Sequence, residues 1–160
     1  MGAMTSFTRS YLWRGVESNA RVVAFLLRDL PEDSPQWDAR PDANRFSLRE
    51  VVAHLVDYDS VSRERFERII REDKPELPNW DEDEAAQHYD ARNPKHQLEN
   101  LLVSRQELAV WLEGLSDKEW KRVGSRPRVG EFSVEEGVAL FLGHDAYHLE
   151  QITVWLGGTR

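Results

Sequence analysis

Apolar residues recur along most of this chain at intervals of three and four, the spacing of a helix with one buried face. Leu12, Val16, Val23, Leu26, Leu27 and Leu30 form one such stripe. They predict a first helix from about Thr8 to Leu30, ending before Pro31, where a helix cannot continue. Leu48, Val51, Leu55, Tyr58, Phe66, Ile69 and Ile70 predict a second, running to about Arg71. Ser47 with Glu50 three residues on has the spacing of a capping box at its start. Asn93-Pro94, an N-cap residue followed by proline at the first helical position, opens a third helix. Its face is Leu98, Leu101, Leu102, Leu108, Trp111 and Leu112, and Gly114 marks its end. Ser133 with Glu136 caps a fourth, on which Val134, Val138, Phe141, His148, Ile152 and Trp155 share a stripe, and Gly157-Gly158 terminates it.

The connections are polar and broken by prolines. Asp81 to Tyr89 reads as a short acidic helix and Ser116 to Trp120 as a capped turn. Lys121 to Gly130 reads as a loop rich in Arg and Gly, with Arg126 to Glu131 the one ambiguous run. Nothing alternates over a strand length. The pattern predicts an all-α fold, a four-helix bundle with short extra helices in its loops, as a single domain over 1–160. Gly2-Ala3 before Met4 reads as the remnant of a cloning tag, with Met4 as the natural start.

Composition narrows the chemistry. A chain of 160 residues is long enough to fold without staples, and with no cysteine it has none to make. A thiolate metal site, a CxxC redox motif and a cysteine nucleophile are excluded, so any metal must sit on His, Asp, Glu or water. The net charge of −8 opposes contact with a phosphate backbone, so no nucleic-acid partner is expected. No apolar run approaches the roughly 20 residues needed to cross a bilayer, and a cytoplasmic protein is expected.

Three of the five histidines stand out. His144 and His148 are four apart, so their side chains stack on one face of the fourth helix, and Phe141 and Ile152 place that face inward. His54, three after Val51 and four before Tyr58, also falls on the inner face of its helix. Buried imidazoles can be ordinary hydrogen-bonded core residues. Side by side they are costly if protonated or unpaired, and a shared divalent cation removes that cost because its ligands must be neutral. The three together point to one metal ion. His88 and His96 lie in polar segments and read as surface residues.

Two better-known metal patterns do not fit. His144-Asp145-Ala146-Tyr147-His148 resembles the HExxH zinc motif, but Asp is a methylene shorter than Glu and Glu150 is the only ligand-type side chain that follows. A di-iron bundle needs two Glu-x-x-His motifs, and no histidine here has Glu three residues before it.

The segments SLREVVAHLVD, Ser47 to Asp57, and GHDAYHLEQI, Gly143 to Ile152, resemble the second- and fourth-helix motifs of the DinB/YfiT-like superfamily. The resemblance spans nearly the whole chain. It implies an up-up-down-down bundle and a site near one end, with His54, His144 and His148 as ligands to one divalent ion, zinc or nickel, and water completing the shell. It implies thiol-dependent chemistry of the S-transferase or isomerase type, with bacillithiol, mycothiol or glutathione and an electrophile as partners, and a homodimer. Three neutral histidines with an open position suit that use, and the thiol must come from outside because the chain has none. Asp145 and Gln151 are candidates to orient the imidazoles, and Tyr58 and Tyr147 to point a hydroxyl into the site. Arg122, Arg126 and Arg128 are candidates to meet a carboxylate of the thiol. A metal-binding stress-response protein without turnover and a metal-dependent hydrolase are the alternatives.

Overall fold

The computed structural model describes residues 4–157, so the expected tag remnant at 1–3 lies outside the described residues. Four long helices are present: α1 (Ser6–Leu27), α2 (Leu48–Arg71), α4 (Pro94–Glu113) and α6 (Val134–Trp155). Two short helices, α3 (Glu82–Ala86) and α5 (Asp117–Trp120), and a hairpin of β1 (Val123–Arg126) and β2 (Gly130–Ser133) lie in the connections. The capping boxes at Ser47/Glu50 and Ser133/Glu136 are both closed, as is one at Ser116/Glu119. Asn93 accepts from the amides of Lys95 and His96. Helix α1 starts two residues earlier than its stripe implies because Thr5 accepts from the Thr8 amide. It ends at Leu27, where the Lys95 ammonium from α4 donates to the carbonyls of Leu27 and Arg28. No helix among the described residues is long and apolar enough to cross a membrane.

Helices α1 and α2 each pack on both α4 and α6, so α1 and α2 are diagonal. The side-chain bonds fix the directions. Arg9 and Asn19 of α1 bond Glu135 and Asp145 of α6, in the same order along both helices, so these two are parallel. Lys95 at the start of α4 meets the end of α1, so those two are antiparallel. Arg92, just before α4, pairs with Asp57, and Arg105 farther on pairs with Asp59, while Arg63 lies over Trp111, so α2 and α4 are parallel. The order is therefore up-down-down-up, which corrects the expected up-up-down-down. The reason lies in the long connection 72–93. It returns along the bundle to the end from which α2 started, whereas the expected order needed the 28–47 linker to do so.

The returning segment lays Trp80 and Tyr89 over α2, and Tyr89 is fully buried. The 28–47 linker is not merely polar: Trp37 is fully buried, with its indole N–H donating to the Pro31 carbonyl. The expected loop at 121–130 is also corrected. Residues 123–126 pair in antiparallel register with 130–133, and Ser125 exchanges hydrogen bonds with Pro75 and Leu77 of the returning segment. The hairpin is also braced on its other side by Glu76, some fifty residues away in sequence, which local alternation cannot reveal. Gly124 permits the contact, since a Cβ there would lie 2.8 Å from Ile69 and 3.1 Å from the Pro75 carbonyl.

Two apolar clusters fill the bundle. One contains Val23, Leu27, Trp37, Leu48, Val51, Leu55, Leu101 and Ile152, and the other Val16, Phe66, Ile69, Leu108, Leu112, Val138 and Phe141. Between them along every helix lies a polar layer with one residue from each: Asn19, Asp59, Arg105 and Asp145. Arg105 donates to Asp59 at 2.5 Å and to both oxygens of Asp145 at 2.7 Å. It also donates to the Val16 carbonyl at 3.1 Å. Ser104 donates to Asp59 and Asn19 to Asp145, so the charged groups of the layer are paired.

Candidate metal centre and adjoining cleft

His54 on α2 meets His144 and His148 on the antiparallel α6. The three offer nitrogen atoms that all lie within 4.8 Å of one another, and His54 Nε2 is 3.0 Å from His144 Nε2. His54 and His148 are buried and His144 partly so. Trp80 stacks on His54 at 5.5 Å between centroids, and Tyr58 stacks on His144 at 3.9 Å. Aromatic walls thus fix two of the rings.

Hydrogen bonding fixes the third. The Phe46 carbonyl can only accept, so the Gln151 amide turns its NH2 toward it, at 2.7 Å. The Gln151 Oε1 then faces His148 Nδ1 at 3.1 Å, and that nitrogen carries the proton. His148 Nε2 is left with its lone pair for the cluster. The Nδ1 atoms of His54 and His144 are buried without a protein partner.

Burial holds all three imidazoles neutral. It lowers His54 to about 3, with the neighbouring His148 adding to the effect. His144 falls to about 2, from burial and then from His148, His54 and Arg105. His148 falls to about 4, with Gln151 and Asp145 opposing the burial. Three neutral nitrogen donors from two rigid helices suit a divalent cation of the zinc type. Two donors 3.0 Å apart are close to the roughly 3.3 Å edge of a tetrahedron with bonds of about 2.0–2.1 Å, so the residues present fit one ion.

The other expected site residues divide. Gln151 bonds His148. Tyr58 is half-buried against His144, and burial raises its phenol above the ordinary value. Tyr147 is exposed, edge-on to His148 and under the Arg45 guanidinium. Asp145 is a correction: its carboxylate is committed to Arg105 and Asn19 and orients no imidazole. On a helix, 145 points about 100° away from 144, which here is toward the polar layer. Arg122 is a second correction, since it donates to the carbonyls of Ile69 and Glu72 and closes the end of α2. His88 and His96 are exposed.

His144 opens onto a cleft of about 630 Å³ lined by Tyr58, Arg65, Trp80, Glu82 and Arg126, among others. Arg65 was not singled out by sequence. A signal existed, because it lies eleven residues after His54, within about 20° of the same helix face. Its basic character disguised it as a solvated charge.

A family model for the DinB superfamily matches residues 16–152, the span that holds all three histidines. The chain belongs to the DinB superfamily. Two curated relatives carry names that mark them provisionally as metal-dependent hydrolases. One, from Oceanobacillus iheyensis, is 25% identical over 139 residues, covering 86% of this chain and 80% of its own. The other, YfiT of Bacillus subtilis, is 27% identical over 141 residues, covering 86% and 76%. The solved structure of B. subtilis YfiT, described as a probable metal-dependent hydrolase with an unusual four-helix bundle topology, superposes with a TM-score of 0.86. It shares 18% identity and is covered over 93% of its length, against 99% of this chain, and so shows the fold.

Two results are expected of this DinB-superfamily site. Replacing Gln151 with Leu frees His148 to rotate and change tautomer, and should weaken divalent-metal binding about 10- to 100-fold. Competition against a chromophoric chelator measures this, and unchanged affinity would show that packing alone holds the ring. The metal-free protein should also lose stability in mild acid. Each histidine is lowered in the fold, so the unfolded chain binds more protons below its ordinary value of 6.5. Stability is unaffected above about pH 6.5 and falls below it, by roughly 1.4 kcal/mol per pH unit per histidine, until the folded values are reached. A urea midpoint that stays flat from pH 7.5 to 5 would contradict this.

Proposed function

We propose that this protein is a metal-dependent enzyme in which His54, His144 and His148 hold one divalent cation, zinc or nickel, and that it joins a low-molecular-weight thiol to an electrophile. The observation that carries the metal reading is the convergence of three neutral, buried imidazole nitrogens at the mouth of a cleft. The thiol reading is supported by the absence of any protein cysteine and by the aromatic and basic lining beside the histidines. When bound, the cation would supply Lewis acidity, lowering the pKa of a thiol or water.

The chain's own residues do the rest. Gln151 holds the His148 proton on Nδ1, Tyr58 and Trp80 fix the ring planes and exclude water from one side, and the cleft orients the substrates. In the reaction a carbon–sulfur bond forms as the electrophile's leaving group departs with its electron pair, and the thiol proton passes to solvent.

Hydrolysis is a second reading, favoured by the relatives' names and by Glu82. This exposed carboxylate borders both the cleft and a second cavity lined by all three histidines, where it could take a proton from water. The test is turnover of an electrophile panel by metal-loaded protein, with and without bacillithiol, mycothiol or glutathione. Thiol-dependent product supports transfer, thiol-independent product supports hydrolysis, and no turnover in either would leave a binding protein.

A further inference from the structure

Among the described residues, every fully buried arginine is ion-paired, but one nine-tenths-buried arginine is not. Arg9 has Asp117 and Glu135, and Arg105 has Asp59 and Asp145. Arg65 on α2 is 9% exposed, and its one protein partner is the Pro78 carbonyl at 3.2 Å. Arg126, at the end of β1, is half-buried, and its Nε is shut away from solvent with no partner. Among the described residues no carboxylate comes within 4.0 Å of either guanidinium, and Glu64 and Glu82 act on Arg65 only from farther off. The group that bears on Arg65 most after burial itself is the like charge of Arg126.

Two guanidiniums gathered at a half-closed wall, without a counter-charge, are unfavourable unless something negative joins them. The fork of an arginine fits two oxygens of one carboxylate or phosphate at once. The pair also sits where a substrate would pass. Both side chains line the main cleft, and both line a smaller cavity of about 240 Å³ that opens from Tyr58 and His144. Apart from Ser62, the rest of that smaller cavity is apolar, with Phe66, Val129, Phe132 and Leu140 around Gly137.

We propose that Arg65 and Arg126 form an anion subsite that takes the carboxylate, or a similar oxyanion, of a substrate whose apolar limb enters the smaller cavity. This rests on the cleft being the substrate site. It assigns that site an amphipathic anion and places the charged group next to, not on, the histidine cluster.

The experiment compares 3-phenylpropionate with 3-phenylpropan-1-ol, which share a skeleton and differ in charge, by titration calorimetry on the metal-free protein. The carboxylate should bind at least about tenfold more tightly than the alcohol, a difference of about 1.4 kcal/mol. In Arg126→Gln, whose half-exposed position leaves the fold intact by thermal melting, the preference should collapse to within about twofold. Equal binding of the two probes, no binding of the carboxylate, or a preference that survives in Arg126→Gln would overturn the proposal. Metal content is measured separately on the same preparations. A failed subsite and a failed metal centre therefore give different results.

Discussion

Replacing Arg105 with Leu is expected to destabilise the fold by about 3–5 kcal/mol, the cost of breaking a buried ion pair from one side. Arg105 is 1% exposed, and without it Asp59 and Asp145 face each other across the bundle with only Ser104 and Asn19 as donors. Asp59 would then take up a proton well above the ordinary carboxylate range. Even with the guanidinium present, burial raises Asp59 to about 6. The sign for this variant is opposite to that of the histidines. A raised carboxyl stabilises the fold below its unfolded value and loses that contribution as the pH rises through its folded value. Arg105→Leu should therefore be most defective near neutral pH and partly recover toward pH 5. Denaturant melts across that range check it. Replacing Arg105, Asp59 and Asp145 together with Met, Leu and Asn should recover most of the loss, because a well-packed layer without charges, the amide introduced at position 145 pairing with Asn19, can equal a buried ion network. A near-normal single variant would mean that water reaches the layer.

The wild type should retain about one zinc or nickel ion per chain after reloading and desalting, and His148→Ala should retain essentially none. Three imidazoles would hold the ion, and Ala leaves two with no anchored third. The same loss appears in stability. At free metal of about 100 times the dissociation constant, binding to the native state adds about 2.7 kcal/mol to the wild type. This gain should vanish in the variant, while its metal-free stability changes by less. Elemental analysis and melts with and without metal read both effects. If the wild type retains no metal under any loading condition, the histidines serve packing, and the catalytic reading loses its chemical basis.

The helices and the inward histidines were legible because their causes are local. Ser47, Asn93 and Ser133 satisfy amide groups two or three residues away, and apolar residues at three- and four-residue spacing turn one face inward whatever lies opposite. The spacing of His144 and His148 on such a face, with His54 on another, was enough to name a cluster that the fold then closes to 4.8 Å.

What only the tertiary structure decided depends on residues far apart along the chain. A stripe says that a face is buried but not against which helix or in which direction, so the up-down-down-up order emerged from contacts such as Arg9 with Glu135. Asp145 read as a group orienting an imidazole and Arg105 bore no local mark, because a guanidinium is recognised as buried only when its partners, 40 and 46 residues away, are in place. Strand Val123–Arg126 needed partners on both sides, and Trp37 and Tyr89 needed a helix to lie on. Arg65 and Arg126 come together only because the chain returns along the bundle after α2 and brings the hairpin against it. Sequence determined which residues turn inward, and the fold determined what they meet there.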